Sequence, residues 1–115
     1  MKLEKFVKIL CLKQESCETM AELRVEIDTL DERIVEILAL RKSYMDQAAR
    51  IKKSRDQIRD SERVKDVIEK VSKHAKKTGV DPELLTNLYN TMIEWSINYE
   101  FGEFDKINEI RRDTN

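Results

Sequence analysis

Residues 23–54 read LRVEIDTLDERIVEILALRKSYMDQAARIKKS. With Met20 just ahead, Leu23, Ile27, Leu30, Ile34 and Ile37 recur at intervals of three and four, and Tyr44, Ala48 and Ile51 resume the series. That spacing stacks side chains along one face of an α-helix. The slot between Ile37 and Tyr44 is held by Arg41, a guanidinium on an otherwise apolar seam. Thr19, with Glu22 three residues on, supplies a capping-box start, so the spacing predicts one helix from about residue 19 to about residue 53, roughly 50 Å long. A chain of 115 residues has too little else to cover such a helix, which implies a partner chain.

Composition agrees with helices. Charged residues make up 39% and hydrophobic ones 40%, and only two Gly and one Pro interrupt the chain, as expected of an all-α protein of one domain. Lys and Arg number 22 against 23 Asp and Glu, so no overall field would gather nucleic acid. The apolar start MKLEKFVKILCLKQ is broken by Lys8 and Lys13, and no stretch approaches the ~20 apolar residues that span a bilayer. Cys11 and Cys17 match neither a metal motif nor a disulfide framework, and reduced thiols in the cytoplasm are expected. No metal or cofactor is expected.

Beyond the long helix, SRDQIRD breaks the period, and Val64, Val67, Ile68, Val71 and Ala75 mark a short second helix capped by Asp60 or Ser61. TGVDPE is a second break, with Gly79 suited to a helix C-terminus, Asp81 to a cap and Pro82 to the first turn of the next helix. A medium third helix follows through Leu85, Leu88, Met92, Ser96, Tyr99 and Phe104, to about Ile107 or a little beyond. Residues 1–18 form an extension able to make a short helix through Phe6, Ile9 and Leu10, residues 19–110 the domain, and residues 111–115 a polar tail.

Lys52 lies eleven residues after Arg41, which is three turns plus about 20°, so the two cations share a helix face about 16 Å apart. A charge on a buried seam must be paired or must serve a ligand. Two readings stand side by side: internal ion pairs with Asp or Glu, or a grip on one small anionic ligand. Arg24 is about 25 Å from Arg41 along the helix, so one chain cannot bring both to a small molecule. Antiparallel pairing of two such helices could, with two equivalent sites related by the two-fold axis.

The long stretch quoted above, then DSERV, then TGVDPELLTNLYNTMIEWSINYE, resembles the all-helical chorismate mutase family over residues 23 to about 101. The family's opening pattern is Leu-Arg-x-x-Ile-Asp-x-Leu-Asp, and Arg24, Arg41 and Lys52 fall at its spacing. The resemblance implies an intertwined homodimer of three-helix chains with active sites shared between chains. It also implies conversion of chorismate to prephenate, an isomerase reaction of aromatic amino acid biosynthesis. A similar branch splits isochorismate into salicylate and pyruvate.

By the same resemblance Arg24 from the partner chain and Arg41 would hold substrate carboxylates, and Lys52 would face the ether oxygen and a carboxylate. Arg63 would reach the ligand from the second helix, with Ser96 and Glu100 facing it from the third. Asp60 matches an acidic residue near the site in some members, but is more simply read as a helix cap. The rearrangement needs no nucleophile, metal or redox group, only a held conformer and stabilised charge on the departing oxygen.

Two positions depart from the family pattern. Val64 stands where mutases often carry a Glu that binds the ring hydroxyl, which suits the lyase branch. Glu100 stands where Gln is usual; Gln donates to the ether oxygen at any pH, a carboxyl only when protonated. The alternatives are therefore isochorismate pyruvate lyase, or an inactive helical dimerisation module. Against the module, a mere dimer would gain by replacing seam cations with Leu or Met. Lys53 and Arg55 border a break that could fold over the site. His74, Tyr89, Trp95 and Tyr99 are read as surface or packing residues.

Overall fold

The structure is a computed structural model, and it describes residues 17–113. The expected short helix through Phe6, Ile9 and Leu10 lies outside the described residues, as does Cys11. Three α-helices make up almost all of the described chain: α1 (Met20–Ile51), α2 (Ser61–Thr78) and α3 (Pro82–Asp113), with one 3-10 turn at Arg55–Gln57 between the first two. Among the described residues there is no strand.

The helix ends follow the caps in the sequence. Thr19 Oγ1 accepts from the Glu22 amide at 3.1 Å, and the Glu22 carboxylate reaches back to the Glu18 amide at 3.0 Å. Asp60 caps α2 by accepting from the Arg63 amide at 3.1 Å. At the end of α2, Gly79 takes the left-handed conformation with φ 79°, and both its amide and that of Val80 donate to the Ala75 carbonyl. Asp81 Oδ1 then accepts from the Glu83 amide at 2.9 Å, and Pro82 fills the first helical position, where its missing N–H is not needed.

The third helix differs from expectation. It is 32 residues long, as long as α1, and runs beyond Ile107 to Asp113. Gly102, though weak in helix propensity, lies inside a helix whose flanking residues Phe101 and Phe104 pack inward.

The chain divides into two units, one ending at Arg41 and one beginning at Lys42. In the first, α1 carries an exposed apolar row that includes Ile27, Leu30, Ile34 and Ile37, with an Arg33–Glu36 ion pair of 2.7 Å beside it. In the second, Ile58, Ile93, Ile97 and Phe104 form the core, and Val64, Val67 and Ile68 of α2 and Tyr89 and Phe101 of α3 close over it. The buried face of α3 therefore takes in Ser96 and Phe104 from the row read in the sequence, adds Ile93 and Ile97 beside them, and leaves Leu88 and Trp95 exposed. The helix is apolar on more than one face, so a stripe drawn from spacing alone has two solutions.

The end of α1 meets α3 through polar contacts. The Tyr99 hydroxyl donates to Asp46, Lys42 Nζ sits 4.6 Å from the Tyr99 ring centroid, and Trp95 stacks on Tyr99 with centroids 5.1 Å apart. Tyr99 first, and Asp46 with it, hold the Lys42 ammonium above its ordinary value.

Ile58 sits in the polar segment between α1 and α2, yet is only 3% exposed. Ile58→Ala should lower stability by about 2–5 kcal/mol, the usual cost of truncating a buried Ile. A chemical-denaturation midpoint matching wild type would show that this side chain does not hold the segment down.

Candidate active site

Lys52 is the first residue past α1, its amide still donating to the Ala48 carbonyl at 2.9 Å, so the helix fixes its backbone. Its ammonium reaches Glu100 Oε1 at 2.7 Å, with the Lys side chain 26% exposed and the Glu side chain 6%. An almost buried carboxylate needs such a partner. Ser96 is buried one turn before Glu100 on α3, its hydroxyl donating to the Met92 carbonyl at 2.9 Å. Three of the sequence candidates therefore gather in one place: Lys52, Glu100 and Ser96.

Arg63 is turned elsewhere. It is exposed and pairs along its own helix with Asp66 at 2.7 Å, a carboxylate that also takes Lys70 at 2.9 Å. The Lys70 and Arg63 hydrogen bonds hold the Asp66 carboxyl below its ordinary value. Asp60 serves as the α2 cap and lines, with Lys52, Lys53 and Arg59, an open cleft of about 590 Å³. Arg24 is exposed and Arg41 half-buried, both on α1 in the first unit. Val64 packs onto the Ile58–Ile93–Ile97–Phe104 core.

The segment between α1 and α2 carries contacts that spacing did not reveal. Ser54 and Gln57 form a capping box around its 3-10 turn, with Gln57 Oε1 accepting from the Lys53 amide at 2.7 Å. Arg55 lies over the Phe101 ring, 4.6 Å from its centroid, and donates to Asp105. Arg59 makes two bonds to Glu94, of 2.8 and 2.7 Å. Those bonds hold the Glu94 carboxyl below its ordinary value, so whatever the pair adds to stability is present at neutral pH and is lost as pH falls through that lowered value. The available signals were an S-x-x-Q turn and a lone Ile in a polar run. Partners 35 and 50 residues distant leave no trace in a local pattern.

Among the described residues, no group of three or more His, Cys, Asp or Glu is placed to hold a metal, and no helix is long and apolar enough to cross a membrane. The arrangement can instead bind an anion and hold one polar atom between an ammonium and a carboxyl. It defines an all-helical domain in which an ammonium and an almost buried carboxylate meet where α1 ends against α3.

The family model for chorismate mutase type II matches residues 23–101. The chain is 32% identical over 83 residues to an isochorismate pyruvate lyase of Pseudomonas aeruginosa, covering 72% of this chain and 82% of that protein. It is 32% identical over 78 residues to a chorismate mutase of Methanocaldococcus jannaschii, covering 67% of this chain and 79% of that one. Against a bifunctional chorismate mutase/prephenate dehydratase of Buchnera aphidicola it is 37% identical over 75 residues, 64% of this chain but only 20% of the relative's length. The chain belongs to the chorismate mutase type II family.

Proposed function

We propose that this protein is a chorismate mutase working in the cytosol without a cofactor, converting chorismate to prephenate. The part-buried Lys52–Glu100 pair, in a member of this family, carries the reading. Chorismate has two carboxylates and an enolpyruvyl ether. Its rearrangement breaks a C–O bond as a C–C bond forms, so catalysis consists of holding the folded conformer and stabilising charge on the ether oxygen. Arg41, and Arg24 from a second copy, hold carboxylates bidentately, while Lys52 places a point charge at the ether oxygen. Ser96 and Glu100 complete the wall, and Arg63 swings from Asp66 to the ligand. Asp60 shapes the rim as the cap of α2.

Incubating the purified protein separately with chorismate and with isochorismate, and identifying the products, tests this reading. Prephenate from chorismate supports it. Salicylate and pyruvate from isochorismate alone would replace it with the lyase reading, which one observation favours: Val64 contributes an apolar side chain to the core where a hydroxyl-binding Glu would stand.

The sites require an intertwined dimer. Its support is the exposed apolar row of α1, where Ile27, Leu30, Ile34 and Ile37 are each 40% or more accessible in the single chain. Sedimentation at micromolar concentration should therefore give a dimer, and a compact folded monomer would remove the shared-site scheme.

Glu100 faces a choice between two bonds. As an ionised carboxylate it holds the Lys52 ammonium, but only when protonated can it donate to the ether oxygen. Glu100→Gln, whose amide always donates, should keep or raise kcat if Glu100 serves the ether oxygen as a donor, and should lower it if Glu100 acts by pairing with Lys52. Steady-state kinetics of the two proteins on chorismate decide between the two roles.

A further inference from the structure

Lys52 projects from the point where α1 ends, so nothing in the helix itself fixes the direction of the chain that follows. Three residues later Arg55 sits over the Phe101 ring and bonds to Asp105. Phe101 is the neighbour of Glu100 in sequence, and Asp105 lies one turn beyond Phe101 on the same face of α3. Both ends of the Lys52–Glu100 pair are thus bracketed by one contact: Arg55 follows the cation, and its seat adjoins the carboxylate.

We propose that Arg55 is a positioning residue, tying the segment after Lys52 to the Phe101–Asp105 face of α3 and thereby holding the Lys52 ammonium against Glu100. This rests on reading Lys52 as the group that faces the substrate. An exposed ion pair alone would do little, because water and salt screen it. Arg55 adds a planar cation over an aromatic face, a contact that an ammonium at the same place would not reproduce. Farther along, Ile58 is buried and Arg59 grips Glu94. Arg59 lies seven residues after Lys52 and beyond the buried Ile58 in sequence, so its grip on Glu94 fastens the approach to α2, whereas Arg55 is the nearer anchor to Lys52 along the chain.

The test reads Lys52 directly and needs no turnover. Trace labelling of the intact, substrate-free protein with acetic anhydride, followed by mass spectrometry, reports the reactivity of each lysine. Lys70 on α2, with its side chain 70% exposed, is the internal reference, whereas Lys52 at 26% should label several-fold more slowly. Arg55→Ala and Asp105→Asn should each raise Lys52 labelling at least threefold relative to Lys70. Arg59→Ala should leave it unchanged. In active protein the same two variants should lower kcat more than they raise KM.

Unchanged Lys52 labelling in folded Arg55→Ala and Asp105→Asn proteins overturns the proposal. So does an equal rise in Arg59→Ala, which would mark general loosening. Failure of the wild type to act on chorismate or isochorismate would overturn the proposed function without touching the labelling result.

Discussion

Lys52→Ala should lower kcat/KM for the rearrangement by roughly 10²–10³-fold, the loss expected when one preorganised group at a developing oxyanion is removed. The side chain supplies a positive charge bonded to Glu100 at 2.7 Å. Its removal therefore also takes a charged partner away from an almost buried carboxylate. The variant should fold but be less stable by about 1–3 kcal/mol, the cost of one unsatisfied polar group. Adding Glu100→Gln should return part of that stability and none of the activity, which separates the two effects. Steady-state kinetics beside thermal unfolding of the single and double variants would check this. A turnover within threefold of wild type in folded Lys52→Ala protein would remove Lys52 from the catalytic scheme.

Arg24→Ala and Arg41→Ala, each nearly inactive alone, should regain activity when mixed. If every site takes Arg24 from one chain and Arg41 from the other, a mixed dimer concentrates both defects in one site and leaves the second intact. Random exchange makes half the dimers mixed, so about a quarter of wild-type activity should return under two-fold symmetry. The mixing is done by unfolding and refolding the two proteins together, with each refolded alone as the baseline. No recovery beyond that baseline would show that the two arginines do not serve a common site across chains.

The helices were legible because their signals are local. Thr19, Asp60, Gly79, Asp81 and Pro82 each act within four residues of their own position, and the caps form as the sequence predicts. The length of α3 was less legible, since Gly102 reads as a weak point within it. Lys52, Glu100 and Ser96 could be nominated from the family pattern, but the bond between Lys52 and Glu100 joins positions 48 apart, and no periodicity encodes that. The fastening of the 52–60 segment was hidden for a related reason. Its polar composition reads as a solvated break, and only the tertiary structure shows that Arg55, Ile58 and Arg59 each take a place on α3 or in the core beside it.

The brief turn between α2 and α3 has a consequence in time. Gly79, Asp81 and Pro82 reverse the chain within a few residues, so Val67 and Ile68 of α2 reach the core that Ile93 and Ile97 of α3 supply after closure of a small loop, at little entropic cost. Contacts between near neighbours in sequence form early, on the fast side of the range for small domains. The α2–α3 hairpin is thus suited to assemble first, at a rate independent of protein concentration, and to offer Ile93 and Ile97 as the surface on which Ile58 settles. The end of α1 follows, delivering Lys52 to a carboxylate that is already in place.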